Sequence, residues 1–445
     1  MLDPRPPDAA QSGEIASVVV ARAATSTARG MSAMLDGAAD SDSPARPLRV
    51  LHLDHTSVVG GAEFALLRMF RAGPRWSPFL LMAPATGRGL GIYDGMPPEI
   101  PRRIAGPRQP AGVSTRGLRA AIEVGARVLG QAAVVRSTRE FSRADLIDAN
   151  TARAAAYGAF AARFSRKAFV VHLRDLVDPV ALGRSGYELM VRVVLPRADG
   201  VVANSHATLH SAREYLKPGV PVEVIPSASG LRLGRTAGLE REAGPIRTVG
   251  MLARIDPWKG QLLLLEAFAR VFAGGDVRLQ FAGEALFGHE DHLEELRRRA
   301  DELGVGDQID FLGHVNEVDD LLARWDVAVQ ASTRPEPLGQ NVLQYLAAGR
   351  AVIAVDEGGP AEWIRTGVNG LLVPPRDPAT LAAALVRLDS DPDLRARLAA
   401  AASVTPGLLD DVAVTRAHER FYDRVVGYVA DGRRVSDGVP VDHAG

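Results

Sequence analysis

Glu336 is a carboxylate in a proline-flanked loop that leads into a predicted helix. Pro337 disfavours a helix that begins earlier, and the apolar spacing over residues 342–347 predicts a short helix closed by Gly349. The first backbone N–H groups of such a helix, around residues 338–341, lack partners in their own turn. These groups can therefore bind a phosphate or the polar face of a sugar beside the Glu336 carboxylate.

Three further loops carry residue types that suit an anionic or sugar ligand. Arg254 and Lys259 lie between a predicted strand and a predicted helix, where their charges could meet a diphosphate. Gly60 and Gly61 connect another strand to a helix and allow close approach of the backbone to a ligand. His172 ends a third strand, in the sequence VVHLRD, and is expected to face the cleft. The alternatives are solvated cations, an ordinary turn and a packed histidine.

Glu336-Pro-Leu-Gly, followed by Gln344 eight residues after the acid, resembles the E-x7-E signature of retaining glycosyltransferases of family 4. The resemblance implies that Glu336 contacts hydroxyl groups of the donor sugar and that the second position, Gln344, contacts the ribose. Glutamine departs from the family pattern, although its amide can still bond to a ribose diol. The resemblance also assigns sugar and phosphate contacts to the loop after the acid, which consists of Pro337, Leu338, Gly339 and Gln340.

The same resemblance assigns roles on both sides of the expected site. It implies that the Gly60 and Gly61 loop approaches the donor phosphates and the acceptor. It places His172 beside the anomeric centre of the donor sugar. Contacts to the nucleotide base are expected near His314 and Val315, at the end of a strand in the second half of the chain.

Arg254 and Lys259 match the cation pair that neutralises the diphosphate in this family. Fixed cations stabilise the charge that develops on a departing phosphate. Bound metal is then not needed, and we find no D-x-D motif at a suitable strand end. We therefore expect no metal and no cofactor, with a nucleotide-diphosphate sugar as co-substrate.

Short apolar runs alternate with helical patterns along the chain, which predicts parallel sheets with crossover helices. The expected fold is α/β, with two Rossmann-like, doubly wound domains that face each other across a cleft, as in the GT-B fold of the family. Ligands of such sheets bind outside the carboxyl ends of the strands. The expected strands cover residues 49–55, 79–83, 146–150, 168–173, 200–204 and 222–226, and then 247–252, 277–282, 309–313, 325–330, 351–355 and 371–373.

The expected organisation has five segments. Residues 1–46 are expected to be a disordered extension that fits a signal peptide poorly, with Met31 and Met34 as alternative starts. Residues 47–235 form the acceptor domain and residues 245–408 the nucleotide-sugar domain, joined by a Gly-rich and charged segment. A helix over residues 409–430 crosses back to the first domain, and residues 431–445 form a flexible tail.

The composition excludes several classes of protein. The chain has 445 residues, of which 47% are hydrophobic and 24% charged, as expected of a globular protein with two domains. No apolar run approaches the ~18 residues of a membrane helix. The chain has no cysteine, which rules out disulfides and thiolate metal sites and agrees with a cytoplasmic location.

The net charge of −1 hides a basic region in the first half of the chain. Residues 101–170 contain thirteen Arg or Lys residues against four acids. One interpretation is a solvated helical face; the other is peripheral contact with an anionic membrane on its inner face, or with a lipid-phosphate acceptor. Nucleic acid is not an expected partner, because the region has few aromatic residues and no nucleic-acid-binding signature.

These observations predict a retaining, metal-independent glycosyltransferase of the hexosyltransferase type. It would transfer a sugar from a nucleotide-diphosphate sugar to a hydroxyl acceptor on a glycan, a glycolipid or a natural product in carbohydrate biosynthesis. Retention follows from the resemblance alone. One alternative is a GT-B nucleotide-sugar epimerase, which would need no acceptor. The other is a non-catalytic nucleotide-sugar-binding protein, which Gln344 suggests.

Overall fold

The computed structural model describes residues 46–58, 60–84, 91–108, 118–234, 244–286 and 288–436. Almost all of the expected extension at 1–46, and the end of the expected tail at 437–445, lie outside these ranges. The described part of the chain contains two parallel sheets, which confirms the predicted pair of doubly wound domains. None of the described helices is long and apolar enough to cross a membrane.

The first sheet has seven strands in the order β3-β2-β1-β4-β5-β6-β7. All neighbouring pairs are parallel. Strand β3 was not predicted, because it has only three residues, forms the edge of the sheet and lacks an apolar run. The strands are β1 Arg49–Asp54, β2 Ser77–Met82, β3 Arg102–Ile104, β4 Leu146–Ala149, β5 Ala168–Leu173, β6 Gly200–Ala203 and β7 Val222–Val224.

The second sheet has six parallel strands in the order β10-β9-β8-β11-β12-β13. Its central strands β11 and β12 are buried along their whole length, as expected for a sheet covered by helices on both faces. The strands are β8 Thr248–Leu252, β9 Arg278–Ala282, β10 Ile309–Gly313, β11 Val327–Gln330, β12 Ala351–Val355 and β13 Leu371–Val373.

Helices connect successive strands and cover both faces of the sheets. The helices associated with the first sheet are α1 Gly61–Arg71, α2 Leu118–Ser137, α3 Arg139–Arg143, α4 Ala152–Ala162, α5 Pro179–Leu189 and α6 His206–Ala212. Those that follow are α7 Gln261–Phe272, α8 Glu290–Glu302, α9 Val318–Arg324, α10 Gln340–Ala347, α11 Gly359–Trp363, α12 Pro378–Ser390, α13 Pro392–Ser403 and α14 Asp411–Ser436.

Helix α14 follows the second domain in sequence but packs on α1 and β5 of the first. Its buried residues Phe421 and Val425 lie against the first sheet. Gly200 permits this close packing, because a Cβ atom there would lie 2.4 Å from Val425 Cγ2. The helix begins at Asp411 and ends at Ser436, six residues beyond the expected end at 430.

A buried polar network lies between the first sheet and α14. The Asp148 carboxylate is fully buried, 2.8 Å from Nδ1 of His52 and 2.8 Å from Nε2 of His172. Trp76 donates its indole N–H to Nε2 of His52 at 2.9 Å, so His52 carries its ring proton on Nδ1. The His172 ring stacks on His418 of α14, with ring centroids 5.1 Å apart.

Burial and the neighbouring side chains together set the protonation states of Asp148, His172 and His418. Burial alone would raise the pKa of Asp148, but the His172 and His52 rings beside it outweigh that effect and lower this pKa. Burial lowers the pKa of His172, and it lowers the pKa of His418 to about 3. At neutral pH the network therefore holds an ionised Asp148 carboxylate beside the neutral rings of His172 and His418.

We expect His418→Leu to make folding less sensitive to acid. A histidine with a depressed pKa in the folded state favours folding above its unfolded pKa of 6.5, and this contribution is lost as the pH falls toward about 3. Between pH 6.5 and about 5, His418 should account for about 2 kcal/mol of lost unfolding free energy. Urea unfolding at several pH values measures this loss, with exposed His210→Leu as the control. An unchanged pH dependence in His418→Leu would contradict the assignment.

Candidate functional site

The candidate site lies where the strand order of each sheet reverses. In the first sheet this point is between β1 and β4, and in the second it is between β8 and β11. Crevices outside the carboxyl ends of strands form at such points. Loops that follow β1, β4 and β5 line one side of a cleft of about 660 Å³, and loops that follow β8 and β11 line the other.

The Gly60 and Gly61 loop faces the loop after β11 across this cleft. Gly60 is the extended residue before α1, and Gly61 is the first residue of that helix. A Cβ atom on Gly61 would lie 3.4 Å from Oε1 of Gln340, at the start of α10. The two domains therefore approach each other closely here, and a larger side chain at Gly61 would narrow the gap.

Glu336 is held by a buried set of hydrogen bonds on the second domain. Its carboxylate pairs with the ammonium of Lys259 and accepts bonds from Gln330 Nε2 at 2.8 Å and Ser332 Oγ at 2.9 Å. Burial would raise the pKa of Glu336, but Lys259 and these hydrogen bonds outweigh it and lower this pKa. The carboxylate is therefore ionised at neutral pH.

Lys259 combines several contacts beside Glu336. Its ammonium lies 4.0 Å from the centroid of the Trp258 ring, and both residues line the cleft. An ammonium has three N–H groups, so the bond to Glu336 does not exhaust its capacity to donate to a phosphate. The pair can thus present an acceptor and a cation to one ligand.

Gly358 and Gly359 hold the backbone of the Glu336 loop in place. Gly358 forms an isolated bridge with Glu336, and the amide of Gly359 donates to the Glu336 carbonyl at 2.8 Å. A Cβ atom on Gly359 would lie 2.3 Å from the carbonyl oxygen of Pro337 and 2.7 Å from Cα of Leu338. The loop can therefore hold its position only while residue 359 lacks a side chain.

Gln344 lies in α10 and contacts the chain that follows β7 of the first domain. Its side-chain amide donates to the carbonyl oxygen of Ser229 at 3.3 Å. A glutamate at this position would lose that donor and would place a carboxylate against a carbonyl oxygen. The amide therefore has a structural contact in addition to the ribose contact that the sequence predicts.

The second domain also caps a helix of the first domain next to this loop. Glu362 accepts bonds from the backbone N–H groups of His206 at 2.9 Å and Ala207 at 2.6 Å, at the start of α6. Thr208 Oγ1 donates to the carbonyl oxygen of Pro337 at 3.3 Å. Because these contacts join the two domains beside the Glu336 loop, the position of the loop depends on how closely the domains approach each other.

His172 does not face the cleft, in contrast to the expectation from sequence. Its side chain is buried toward α14, beside Asp148 and His418, because its side of strand β5 packs on that helix. Arg174 and Asp175, which follow it, line the cleft instead. The Arg174 guanidinium donates to Asn150 Oδ1 at 2.7 Å and to Ser227 Oγ at 2.9 Å.

Besides Gln344, three other predicted residues lie away from the lining of the cleft. The Arg254 side chain is 42% exposed, with Nη2 3.7 Å from Oδ2 of Asp256. His314 lies after the edge strand β10, with Nε2 3.1 Å from Oδ1 of Asn316. Val315 packs against the core of the second domain. By contrast, Gly60, Gly61, Lys259 and Glu336 with the loop over residues 337–340 all line the same cleft.

Asp54, His55 and Glu63 form a polar cluster on the first domain that the sequence analysis did not identify as a site. Their potential ligand atoms lie within 4.8 Å of one another, so they could hold a cation. Asp54 Oδ2 already accepts bonds from Tyr93 at 2.5 Å and Asn150 at 2.8 Å. The sequence could have indicated this cluster, because Asp54 and His55 lie at the end of strand β1 and Glu63 lies in the first turn of α1.

Glu63 differs from Glu336 in its charge state. Burial, and then the nearby carboxylate of Asp54, raise the pKa of Glu63 to about 8. The side chain is buried and lines the cleft, and a Cβ atom on Gly60 would lie 2.3 Å from its Oε2 atom. At neutral pH a protonated acid therefore lies directly behind the Gly60 and Gly61 loop.

Both halves of the chain match known families. Residues 94–228 match the family described as "Glycosyltransferase Family 4", and residues 241–404 match "Glycosyl transferases group 1". The D-inositol 3-phosphate glycosyltransferase of Thermomonospora curvata is 31% identical over 232 residues, which cover 46% of this chain and 52% of the relative. The chain thus spans about half the length of this curated relative.

Solved structures show the same fold over most of the chain. The Anabaena protein Alr3699/HepE in complex with UDP is 24% identical, with a TM-score of 0.68 over 85% of this chain and 100% of that one. Its complex with UDP and glucose is 25% identical, with a TM-score of 0.66 over 84% and 99%. The same protein has also been solved with UDP-glucose. The fold of the present chain is GT-B.

We expect Gly359→Ala to impair the Glu336 loop. The added Cβ atom would meet the backbone of Pro337 and Leu338 at 2.3–2.7 Å, so the loop must shift. Gly427→Ala in α14 is the matched control, because nothing lies within 4 Å of a Cβ atom there. The free energy of unfolding, measured in urea, should fall by roughly 1–3 kcal/mol in Gly359→Ala and should not fall in Gly427→Ala. A fall in both variants, or in neither, would contradict the proposed support.

Proposed function

We propose that this chain is a retaining, metal-independent glycosyltransferase that transfers a hexose from a nucleotide-diphosphate sugar to a hydroxyl acceptor. The two family matches and the GT-B fold support a glycosyltransferase. The observation that carries the proposal is the buried pair of Glu336 and Lys259 beside the start of α10, opposite the Gly60 and Gly61 loop. This arrangement offers an acceptor for sugar hydroxyls and a cation for a diphosphate within one cleft.

In the proposed complex, Glu336 accepts hydrogen bonds from hydroxyl groups of the donor sugar. The N–H groups of residues 338–340 donate to the sugar or to a phosphate oxygen, since the start of α10 leaves them without helical partners. Lys259 neutralises the diphosphate, and Arg254 is its second cation after a movement of its exposed side chain. Gln344 contacts the ribose, and His314 and Val315 lie near the base.

In the proposed reaction, the bond between the anomeric carbon and the phosphate oxygen breaks, and negative charge develops on the departing diphosphate. Lys259 stabilises that charge in a site that excludes much of the solvent. The acceptor oxygen attacks the anomeric carbon from the same face, and its proton passes to the departing phosphate oxygen. The product keeps the anomeric configuration, and nucleotide diphosphate is released. The buried His172 positions strand β5 and α14, and we give it no direct role.

Two alternatives differ in what the protein does with the donor. A nucleotide-sugar epimerase would change the donor without an acceptor, and a non-catalytic protein would bind it unchanged. The Glu336 carboxylate, ionised beside Lys259, lies at the position where the diphosphate would depart, and this favours turnover as the proposed function. Product analysis with UDP-glucose alone, and then with acceptors, separates all three.

We further propose that the protein acts in the cytoplasm, with peripheral contact to the inner face of the membrane. The basic region over residues 101–170 supports this proposal through its thirteen cationic residues against four acids. Such a surface is attracted to anionic lipid headgroups over about one Debye length. Sedimentation with anionic and with neutral vesicles tests the contact directly.

Lys259→Met should abolish stabilisation by the donor. The native protein, at a hundred times the dissociation constant of the cognate donor, should gain about 2.7 kcal/mol of stability, and the variant should gain none. The variant should also unfold more easily without ligand, because it leaves the Glu336 carboxylate buried without its cation. Thermal melting with a panel of nucleotide sugars measures both effects.

Lys217→Met is the matched control, since Lys217 pairs with Asp199 outside the lining of the cleft. It should keep the full response to the donor. Donor-induced stabilisation that persists in Lys259→Met would overturn the assigned role of this lysine. A native protein that neither binds nor cleaves any nucleotide sugar would overturn the proposed function itself.

Binding of UDP-glucose to the native protein should weaken as the pH rises through about 8. The pKa of Glu63 is raised to about 8, so the group is neutral below this pH and becomes an anion behind the Gly60 and Gly61 loop above it. That charge repels a diphosphate. Glu63→Gln should bind with a dissociation constant that stays flat across this interval, whereas Glu188→Gln, at a half-buried position paired with Arg192, should retain the native profile. Calorimetric titrations at a series of pH values provide the test, and identical profiles for all three proteins would refute it.

A further inference from the structure

The cleft continues beyond the Glu336 and Lys259 pair into an apolar branch on the first domain. Three helices, α2, α4 and α5, and the π-helical turn Met190–Val194 contribute its walls. Nothing in the glycosyl transfer proposed above uses this part of the cleft. The apolar side chains that line it include Val124, Val128, Ala156, Leu182, Leu189 and Met190.

Helix α5 explains why the branch is open. The helix contains Val180, Leu182 and Leu189, yet none of its eleven residues is fully buried. Leu182 and Leu189 are half-buried and line the branch, whereas Val180 is 74% exposed and does not. Gly183, with φ 68° and ψ 154°, interrupts the helical backbone between Leu182 and Leu189. Leu182 packs against the core of the first domain, but the apolar side of α5 is only partly covered and also forms a wall of the cavity.

Charged and uncharged side chains come from different elements of the cleft. The charged ones come from the strand-end loops, from the first turn of α1, from the second domain and from two further helices, which contribute Arg127 of α2 and Arg153 of α4. The part of α5 that lines the cleft consists of Ala181, Leu182, Ser185, Gly186 and Leu189, with no charge among them. The same cleft thus offers charged groups for a polar head and, along α5, an uncharged wall for a hydrocarbon chain. That division matches an amphiphilic ligand.

We propose that the apolar branch binds the hydrocarbon chain of the acceptor, which is therefore an amphiphile with its hydroxyl group on a polar head. The proposal rests on the proposed glycosyl transfer, because it takes the second substrate of that reaction as the occupant. The head lies near the Gly60 and Gly61 loop, where the acceptor hydroxyl can reach a donor sugar held by Glu336. The chain extends between α2 and α5, where each buried methylene group leaves water.

Alkyl β-D-glucopyranosides with butyl, hexyl and octyl chains, used below their micellar concentrations, test the branch. Burial of a methylene group corresponds to roughly a threefold to fourfold gain in affinity. We therefore expect the dissociation constant, measured by calorimetry in the presence of UDP, to fall about threefold for each added methylene. Equal affinity for all three chains would overturn the proposal.

Ala181→Asp and Val180→Asp form a matched pair for the same titration. Both positions are exposed in the first turn of α5, so an added acid interacts with the helix dipole similarly in each. Ala181 lines the branch and Val180 does not. We expect Ala181→Asp to lose most of the dependence on chain length and Val180→Asp to keep it. Equal dependence in both variants would place the chain elsewhere and would overturn the proposal.

Stabilisation by UDP-glucose is measured in parallel with both variants, so that the two proposals can fail separately. Retained stabilisation together with loss of the chain-length effect in Ala181→Asp supports the branch as a site for the acceptor chain. A chain-length effect without any binding of nucleotide sugars would refute the proposed function but would leave the apolar site. Stabilisation by UDP-glucose without any chain-length effect would refute the branch and leave the proposed function.

Discussion

Parallel strands that share one carboxyl edge, with a reversal of strand order in the middle of the sheet, set the position of every group in the candidate site. The reversals between β1 and β4 and between β8 and β11 open a crevice on each domain. Because the two crevices face each other, loops distant in sequence come close together: a Cβ atom on Gly61 would lie 3.4 Å from Oε1 of Gln340. The site therefore depends on both sheets and on the distance between them.

The Glu336 loop shows how this geometry is maintained. Its carboxylate is fixed by Lys259, Gln330 and Ser332, while its backbone contacts the glycine pair at the start of α11. The same loop accepts a bond from Thr208 of the other domain, and Glu362 caps α6 close by. A change in domain closure would therefore act on the group that we propose holds the sugar. The loop contributes to binding and to contact between the domains.

The acids around the cleft differ in charge, because burial and neighbouring groups shift their pKa values in different directions. Two buried carboxyl groups on opposite sides have opposite shifts: the pKa of Glu336 is lowered beside Lys259, and the pKa of Glu63 is raised to about 8 by burial and by Asp54. A diphosphate would thus meet a compensated anion on one side and a neutral acid on the other. The part of α5 that lines the cleft carries no charge, which gives the cleft one uncharged wall.

The sequence by itself determined the two doubly wound domains, twelve of the thirteen strands and the loops that carry Gly60, Lys259 and Glu336. These follow from local patterns, because apolar runs, glycine turns and proline positions act over a few residues. Strand β3 has no such pattern, and the direction of the His172 side chain was decided by the packing of α14 on β5, which brings together residues far apart in the chain. The pKa of Glu63, the contact of Gln344 with Ser229 and the open apolar branch likewise depend on neighbours that only the folded chain supplies. Sequence therefore identified which loops could bind a ligand, and tertiary structure decided which of their side chains reach it.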